Sequence, residues 1–548
     1  MINSLHLGNF KAFAETQEIP VKPITLIFGA NSAGKSSIIH SLALVHEALR
    51  SGELDLFRTD LGGSSIDLGG FRQYIHRRQA NRRIDWRLTL NTSRFQGRLR
   101  ELLDLVSEIT AGVTIGMPLD DMDQPLPGAS PQIFSYELES DGKTLLRMSR
   151  RPAGHLALDL LPYRHPVLQR IITALLEGFT TTGKVTDKDI DGLETPIAEI
   201  IANLRAPMGA FFPKGLKDHS GEEEGEVRQL SLFPISKGYR QEDLAKALRF
   251  FLPRTLDELI RELNTQLHSE INRLQYLGPL RSYPARHFAF AEHEDTNWYA
   301  GGGYAWDVVR RNHEVRRKVN TWLGNKEKLS TPYELSIRNL LTVDDLDADY
   351  QEIISKLETA VTTDDDDAYG GDLFGYLYGD VIKKIKESEG NLSNIQELIL
   401  IDRRTDTQVS HRDVGIGVSQ LLPVLVAAYA SQQKIIAIEQ PGIHLHPALK
   451  AEIGDLFIAS ALGENRNTFL IETHSEHLIL RILRRIRETT DGELPADATP
   501  ITPEQLAVLY VQPGKKGSEV INIPVNEDGE FDRPWPQGFF AERAKELF

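Results

Sequence analysis

The chain has 548 residues, enough for two or more hydrophobic cores, and its 41% hydrophobic and 26% charged residues are typical of a globular protein. A formal charge of −16 means that nucleic acid could bind only at a local basic patch. The absence of cysteine excludes disulfides, thiolate zinc sites and cysteine nucleophiles. The N-terminus lacks a signal pattern and no apolar run approaches the roughly 20 residues of a membrane helix, so we expect a soluble, cytoplasmic protein without a membrane partner.

Residues 1–96 are predicted to form the first half of an ATPase domain, organised around a phosphate loop. An apolar run from Ile24 to Phe28 ends at Gly29, and an apolar helical pattern begins after Ser36. Between them, Gly29-x4-Gly34-Lys35-Ser36 is the G-x4-G-K-[ST] pattern in the strand-loop-helix context that it requires. The glycines let backbone N–H groups face an anion, Lys35 carries positive charge to the β- and γ-phosphates, and the Ser36 hydroxyl is placed to ligate Mg2+. The pattern predicts ATP and Mg2+ as cofactors, with these nucleotide-binding residues: Asn31, Ser32, Ala33, Gly34, Lys35, Ser36 and Ser37.

Residues 97–275 are predicted to be a large, mostly helical insertion with loops rich in proline, glycine and charge. One of these loops contains Glu222-Glu223-Glu224. No heptad pattern is sustained, which argues against chromosome-maintenance ATPases with long coiled-coil arms. Residues 276–303 return to strand and turn patterns of the ATPase domain, and residues 304–395 form a helical subdomain. The acidic run at 364–367 favours a solvated loop over a metal site, because consecutive aspartates cannot all converge on one ion.

Residues 396–548 are predicted to complete the ATPase domain. The apolar strand Ile435-Ile-Ala-Ile ends at Glu439-Gln440-Pro441, where a P-loop ATPase places a carboxylate that coordinates Mg2+ and then a residue that activates water. Glu439 is therefore a candidate Mg2+ ligand and catalytic residue. Gln440 cannot accept a proton, so it could orient water but could not act as a general base. This substitution predicts slow hydrolysis and a persistent ATP-bound state.

A second buried strand, from Thr468, ends in Glu472-Thr-His474-Ser475. His474 is a candidate sensor of the γ-phosphate. Glu472 has two possible roles that the sequence leaves open: an alternative catalytic base, or a cap for the helix that starts at Ser475. The nearby His444 and His446 are two residues apart without a third ligand in the sequence around them, which favours a structural or dimer-contact role over a metal site.

A third polar segment, Asp413-Val-Gly-Ile-Gly417-Val-Ser419-Gln420, opens an apolar helix. Glycines and a serine at a helix N-terminus form an anion site. Because each chain already has its own phosphate loop, Gly417 and Ser419 are expected to contact the ATP of a second subunit. The segment therefore predicts two composite sites in a head-to-tail dimer.

These four motifs together resemble the cassette-type AAA ATPases related to the overcoming-lysogenization-defect (OLD) family. The match is sharper in Tyr276-Leu-Gly-Pro-Leu-Arg, Glu439-Gln-Pro-Gly-Ile-His-Leu-His-Pro, Glu472-Thr-His-Ser-Glu-His and Trp535-Pro-Gln-Gly-Phe-Phe. These segments look like the bacterial defence ATPases that include PtuA of Septu systems, some of which are retron-associated. The resemblance covers roughly 1–90 and 276–548.

The resemblance implies an α/β fold, an ABC/SMC-like P-loop ATPase head with a mixed sheet and flanking helices. It also implies a homodimer or higher homo-oligomer, a separate HNH nuclease partner and, in retron versions, a reverse transcriptase with its multicopy DNA. The segment after Ser475 is too short for the Toprim nuclease domain of the OLD family, so no cutting activity of its own is expected. The resulting expectation is a slow, dimeric ATPase that regulates an HNH nuclease in anti-phage defence.

Three other functions were weighed. One is an SMC/RecF-like DNA repair or recombination ATPase that clamps DNA, and it would need a basic groove. The best candidate for that groove is the helix with Arg481, Arg484, Arg485 and Arg487. A solvated helix face explains these residues more simply. A nucleotide-binding subunit of a membrane transporter is disfavoured by the insertion and the chain length. An autonomous nuclease would need a carboxylate or histidine cluster that the sequence does not show.

Overall fold

The computed structural model describes residues 2–177, 185, 189–190, 192–219, 240–281, 297–326, 328–340, 355, 395–409 and 416–536. The described residues belong to two compact units. The first lies within Met1–Ser282, Asp295–Gly303 and Gln420–Phe548, and the second within Tyr283–Glu294 and Tyr304–Ser419. The predicted features at 222–224, 364–367 and 413–415 lie outside the described residues.

The described strands are short and are interspersed with helices along the chain, as expected of an α/β protein. In chain order they are β1 (Ile2–Gly8), β2 (Gln17–Pro20), β3 (Ile24–Gly29), β4 (Ile84–Asn91), β5 (Glu108–Gly116), β6 (Gln132–Ser140), β7 (Lys143–Arg150), β8 (Leu156–Leu160), β9 (Leu204–Ala206), β10 (Lys217–Asp218), β11 (Leu274–Leu277), β12 (Tyr333–Leu340), β13 (Ile395–Asp402), β14 (Thr407–Val409), β15 (Ile435–Glu439), β16 (Thr468–Glu472), β17 (Leu506–Gln512) and β18 (Glu519–Asn522).

The described helices range from a single turn to more than 40 Å in length. In chain order they are α1 (Lys35–Ser51), α2 (Phe71–Tyr74), α3 (Gly97–Leu102), α4 (Pro166–Glu177), α5 (Glu194–Asn203), α6 (Arg240–Ile271), α7 (Gly303–Arg311), α8 (His313–Gly324), α9 (Ile416–Ala430), α10 (Pro447–Leu462) and α11 (Glu476–Asp491).

A six-stranded sheet, counted over the described residues, carries the phosphate loop near its centre. Its strand order is β11-β15-β16-β3-β17-β18, and every pair is parallel except β17 with β18. All residues of β3, β15 and β16 are buried, which explains why these strands are continuous apolar runs rather than alternating ones. Because the three strands are parallel neighbours, their carboxyl ends at Gly29, Glu439 and Glu472 meet at one edge of the sheet.

A second sheet in the same unit is antiparallel and has nine strands among the described residues, in the order β10-β9-β8-β7-β6-β5-β4-β1-β2. The prediction for segment 97–275 was a mostly helical insertion. Its described residues contain helices and also six strands that continue the N-terminal sheet. The sequence did not indicate these strands because β-bulges interrupt their alternation. Register shifts occur at Thr114/Ile115 and Leu138/Glu139, and each shift moves the following side chains to the other face.

Helix α6 covers this antiparallel sheet. Its fully buried apolar residues recur every three or four positions, as in Leu256, Leu259 and Leu263. The hydroxyl of buried Tyr136 on β6 donates a hydrogen bond to Asn264 Oδ1 at 2.8 Å. One hydrophobic core thus joins the helix of the insertion to strands that begin at the N-terminus.

The second unit contains a three-stranded antiparallel sheet, β12-β13-β14, among its described residues. The Asn312 side chain caps α8 by accepting hydrogen bonds from the N–H groups of Glu314 and Val315. Asn320 on α8 donates to the carbonyl oxygen of Leu335 and accepts from its N–H, both at 2.9 Å. This double hydrogen bond fixes α8 against β12.

None of the helices in the described part of the chain combines the length and the apolar character that crossing a bilayer requires.

The arginine-rich helix α11 packs against α10 partly through ion pairs. Arg481 forms ion pairs with Glu452 and Asp455, at 2.7 and 2.6 Å. Arg485, with only 8% of its surface exposed, bonds to Asp455 at 2.7 and 2.8 Å and to Glu488 at 2.6 Å. These two arginines therefore serve the packing of α11, whereas Arg484 and Arg487 are exposed.

Replacing Asp455 by alanine should therefore destabilise the first unit, because Arg481 loses one of its acidic partners and the buried Arg485 keeps only Glu488. We expect a loss of about 2–3 kcal/mol in the free energy of unfolding, measured by urea denaturation. The matched control is Glu101→Ala, which removes an exposed pair with Arg98 and should cost at most about 1 kcal/mol. Equal losses in the two variants would contradict a packing role for the network.

Candidate functional site

The phosphate loop is a tight connection between β3 and α1, and two glycines make it possible. Gly29 and Gly34 have φ values of 144° and 104°, in the region that side chains avoid. A Cβ atom on Gly29 would lie 2.4 Å from the carbonyl oxygen of Val511 on β17, and one on Gly34 would lie 2.4 Å from Cβ of Ala12. The Ser518 hydroxyl also donates to the Ala33 carbonyl at 2.6 Å. The loop is therefore held from both sides by neighbouring backbone.

Lys35 and Ser36, the first residues of α1, both point toward Glu472. The Lys35 ammonium donates to the carbonyl oxygens of Gly29 and Ala30, at 3.3 and 2.9 Å, and lies 3.7 Å from Glu472 Oε1. Burial lowers the pKa of Lys35. The Ser36 hydroxyl donates to Glu472 Oε2 at 2.6 Å. The carboxylate of β16 thus contacts both loop residues that the motif assigns to phosphate and metal.

Glu472 and Glu439 form a buried carboxylate pair at the ends of adjacent strands. Their Cα atoms are register partners, and their exposed fractions are 5% and 7%. Burial and then the negative charge of Glu439 raise the pKa of Glu472. Gln440 turns away from the strand with a φ of 48°, and its N–H donates to the Glu472 carbonyl at 2.8 Å. Two acids at close range in a buried site favour the binding of a cation.

The helix-cap alternative for Glu472 is wrong. Ser475 caps α11 itself, because its hydroxyl accepts a hydrogen bond from the Leu478 N–H at 3.3 Å. The Glu472 carboxylate instead faces the phosphate loop.

The Glu439 carboxylate is fixed by residues from two other parts of the chain. Tyr276 at the end of β11 donates its hydroxyl to Glu439 Oε1 at 3.0 Å, and His40 Nε2 lies 3.5 Å from the same oxygen. Burial and then the charge of Glu439 raise the pKa of Tyr276, so this hydroxyl keeps its proton and remains a donor. Arg281 donates to the backbone carbonyl of Glu439 at 3.0 Å and to that of Gln420 at 3.2 Å. These contacts set the position of the acid and of the turn after it.

Two further residues of the site, His40 and Lys11, belong to none of the sequence motifs. His40 follows Ser36 by four residues and so lies on the same face of α1, a spacing that a helical projection of the motif would have shown. Lys11 comes from the turn between β1 and β2, and its ammonium lies 2.7 Å from His40 Nδ1. A charged ammonium can only donate, so the His40 proton resides on Nε2 and faces Glu439. Only the fold brings Lys11 to this site.

The remaining predicted residues are less closely associated with the carboxylates. Asn31 and Ser32 are exposed on the loop, and Ser37 is buried in α1. His474 is exposed after β16, and partial burial and then the positive charge of Lys35 lower its pKa. Gly417 and Ser419 lie in the first turn of α9 and belong to the second unit.

The two histidines after Gln440 have separate surroundings. His444 is exposed, with a φ of 60°, whereas the His446 ring accepts the Ala448 N–H at 3.4 Å and caps α10. Within the described ranges, no group of three or more His, Cys, Asp or Glu residues is arranged to hold a metal ion. The cap is a structural role for His446.

The fold and the site together define the class of the protein. A glycine-bounded loop lies at the carboxyl edge of a mostly parallel sheet, directly before a helix whose first residues are Lys35 and Ser36, and an acidic strand end lies beside it. This is the arrangement of a P-loop ATPase, and the α/β class predicted from the sequence is confirmed.

Comparison with protein families agrees with this class. A family model described as AAA ATPase domain matches residues 309–479, and one described as AAA domain matches residues 4–115. A third, of a protein family of unknown function (DUF3696), matches residues 501–548. The first two matches each cover less than half of the chain, and they support an ATPase domain of the AAA type. No curated protein matches the chain.

Similar solved structures include three SMC heads. The Smc head domain with an extended coiled coil bound to the C-terminal domain of ScpA, derived from Pyrococcus furiosus, has 12% identity and a TM-score of 0.35, with 100% of this chain and 98% of that chain covered. An SmcHead bound to the C-winged helix domain of ScpA has 11% identity, a TM-score of 0.33 and coverage of 95% and 97%. The SMC head domain from Thermotoga maritima has 9% identity, a TM-score of 0.32 and coverage of 96% and 99%.

The burial of Lys11 predicts a pH-dependent stability. Burial lowers its pKa from 10.5 to about 8. Between these values the unfolded chain binds the proton and the folded chain does not, so the folded state gains stability as the pH rises through this window. Relative to Lys11→Met, wild type should gain on the order of 2 kcal/mol in unfolding free energy between pH 7 and pH 10.

Urea denaturation of both proteins across this pH range checks the prediction. The exposed Lys516→Met is the control and should follow wild type at every pH. A constant difference between Lys11→Met and wild type would contradict the buried charge.

Proposed function

We propose that the chain binds ATP with Mg2+, hydrolyses it slowly in a dimer, and through its nucleotide state regulates an associated HNH nuclease in anti-phage defence. The observation that carries the ATPase part is the pair Glu439 and Glu472 beside Ser36, followed by Gln440 where an acid would activate water. The nuclease part is based on the resemblance of segments 439–447 and 472–477 to defence ATPases.

The donor set fits Mg2+. The Ser36 hydroxyl and the Glu439 carboxylate are hard oxygen ligands, and a divalent cation would compensate the negative charge of the two buried acids, Glu439 and Glu472. Bound Mg2+ supplies charge neutralisation for the β- and γ-phosphates. In this proposal Ser36 and Glu439 hold the metal. The backbone from Asn31 to Ser37 and the Lys35 ammonium hold the phosphates.

Slow hydrolysis follows from the surroundings of the attacking water. The Gln440 amide can orient water but cannot take its proton. Glu472 has the right chemistry, but it is bonded to Ser36 and lies 3.7 Å from Lys35, so acting as a base would require it to leave both. His474, whose pKa is lowered, remains neutral at pH 7 and is suited to donate a hydrogen bond to the γ-phosphate. The site therefore favours holding ATP over rapid turnover.

A second copy completes the proposed site. Gly417 and Ser419 lie in the first turn of α9, and the N-terminus of a helix favours phosphate oxygens. Ser419 is buried in the single chain, so contact with a second ATP would require this turn to open in the dimer. In a head-to-tail dimer, Lys35 of one copy and Ser419 of the other would contact the same ATP. Loss of the nucleotide would then change the dimer and with it the surface offered to the nuclease, a population shift between two states. A reverse transcriptase with its multicopy DNA would join the complex in retron-associated versions.

We expect Lys35→Ala to lose ATP binding and Gln440→Glu to speed hydrolysis. The reason is that the first removes the phosphate cation and the second supplies a general base, which should raise kcat by about tenfold or more. ATP binding and phosphate release are measured on purified protein, and size is read on the same samples with and without ATP. Brisk hydrolysis by wild type that Gln440→Glu leaves unchanged would contradict the proposal, and Glu472→Gln would then identify the base.

The nuclease part is tested with the HNH nuclease encoded beside this chain. The two proteins are co-expressed, and plasmid cleavage and phage plating are compared for wild type, Lys35→Ala and Gln440→Glu. Both variants should change nuclease activity in the same direction. Lys35→Ala cannot bind ATP, and Gln440→Glu hydrolyses its bound ATP faster. A genome without such a neighbour, or a nuclease indifferent to both variants, would refute this part.

A further inference from the structure

A cationic cleft lies beside the nucleotide site in the first unit. Its volume is about 680 Å3. The residues that line it are Lys11, Asp67, Leu68, Gly69, Gln73, Ile75, Arg77 and Arg78. Three positive side chains face one carboxylate, so the cleft has a net positive charge and suits an anion.

The walls of the cleft are built from fixed backbone. The Lys11 N–H donates to the Tyr74 carbonyl at 2.7 Å, and the His76 ring donates through Nδ1 to the Lys11 carbonyl at 2.9 Å. The Arg77 guanidinium donates to the carbonyl of Lys515 at 2.9 Å. At Gly69, with a φ of 68°, a Cβ atom would lie 2.8 Å from Cγ of Gln73. The cleft therefore requires a glycine and is connected to three parts of the chain.

All three cationic residues have left-handed backbones. The φ values are 45° for Lys11, 54° for Arg77 and 57° for Arg78. A left-handed backbone at a residue other than glycine costs on the order of 1 kcal/mol or more in folding free energy. Such conformations persist where the surrounding structure holds them, often at functional sites. Three basic residues around one cleft share this costly conformation, which indicates that the positive charge at the cleft has a function.

Lys11 also connects the cleft to the ATPase site. Its ammonium lines the cleft and contacts His40 Nδ1, and His40 Nε2 faces Glu439 Oε1. Within the described residues, Lys11 has no carboxylate within 4 Å, and burial lowers its pKa to about 8. Glu439 and Asp67 supply part of the counter-charge for this amine, and an anion in the cleft would add to it.

We propose that the cleft binds the phosphate group of a small molecule and that Lys11 and His40 transmit its occupancy to Glu439. Arginine pairs suit phosphate because the guanidinium fork bonds two oxygens at once. When Lys11 turns to the anion, His40 loses the donor at Nδ1, and its contact with Glu439 Oε1 is released. His40 is thus a positioning residue for Glu439. This coupling rests on the proposed ATPase function, whereas anion binding does not.

Two sources can supply the phosphate: the tail of the nucleotide on the loop, or a separate molecule. We infer a separate molecule, because Arg77 and Arg78 lie in the turn before β4 rather than in the phosphate loop, and Lys11 contacts the ATPase site through His40. A nucleic-acid strand is disfavoured by the net charge of −16.

The binding test uses metal-free inorganic pyrophosphate and calorimetry, with full-length Lys35→Ala protein so that the loop is impaired. We expect pyrophosphate to bind to this protein. Adding both Arg77→Ala and Arg78→Ala to it should weaken the binding by about tenfold or more. Lysine at both positions should restore part of the affinity. Arg82→Ala, in the same turn but outside the cleft, is the matched control and should bind like the parent.

The coupling is read from the 15N resonances of the His40 ring, assigned with His40→Gln. Pyrophosphate should shift them in Lys35→Ala protein, and the arginine pair variant should abolish the shift. Binding without any His40 shift would overturn the coupling. Pyrophosphate binding that survives the arginine substitutions would overturn the cleft.

The remaining outcomes separate the sources. Suppose that Lys35→Ala does not bind pyrophosphate and that replacing only the arginines weakens ATP binding. The cleft would then bind the nucleotide's own phosphates, and the proposal of a separate site would be overturned. Tighter binding of a short single-stranded oligonucleotide through the same arginines would overturn the small-molecule ligand. If Lys35→Ala still bound ATP, the proposed function would fail, while a positive pyrophosphate result would stand.

Discussion

The site depends on one electrostatic constraint, the placing of two carboxylates at the ends of neighbouring parallel strands. Glu439 and Glu472 are partners in register, and both are buried. A buried pair of acids is costly unless protons, donors or a cation compensate it. Here Ser36 and Lys35 approach Glu472 from the loop, and Tyr276 and the His40 ring approach Glu439 from β11 and α1.

This constraint explains why residues far apart in the sequence are arranged as they are. Strand β11 and the short segment after it bring Tyr276 to the Glu439 carboxylate and Arg281 to the Glu439 carbonyl oxygen at the end of β15. The phosphate loop, in turn, is shaped by close backbone neighbours at Gly29 and Gly34. The same few residues therefore serve both the nucleotide site and the packing around it, which limits the substitutions that this region tolerates.

Much of the site was predictable from the sequence, because the strand that precedes the loop and the strands that end in Glu439 and Glu472 are continuous apolar runs with abrupt polar ends. The role of Glu472 was not predictable, because a carboxylate next to a helix start can be either a catalytic residue or a helix cap. Its contact with Ser36 distinguishes the two. The strands of segment 97–275 were missed because bulges disrupt the two-residue period. Lys11 was missed because its partner His40 lies on a different element, and no local pattern joins them.

The position of β3 in its sheet has a consequence for how the protein is made. This strand is synthesised long before its two neighbours, which are β16, where Phe469 pairs with Ile24, and β17, where Leu506 pairs with the same residue. Ser518, which donates to the Ala33 carbonyl in the loop, is made later still. During synthesis the apolar strand β3 therefore has neither sheet partner until the β16 and β17 segments have been translated. A product that stalled between β3 and β16 would contain the phosphate-loop motif without the strands that hold it.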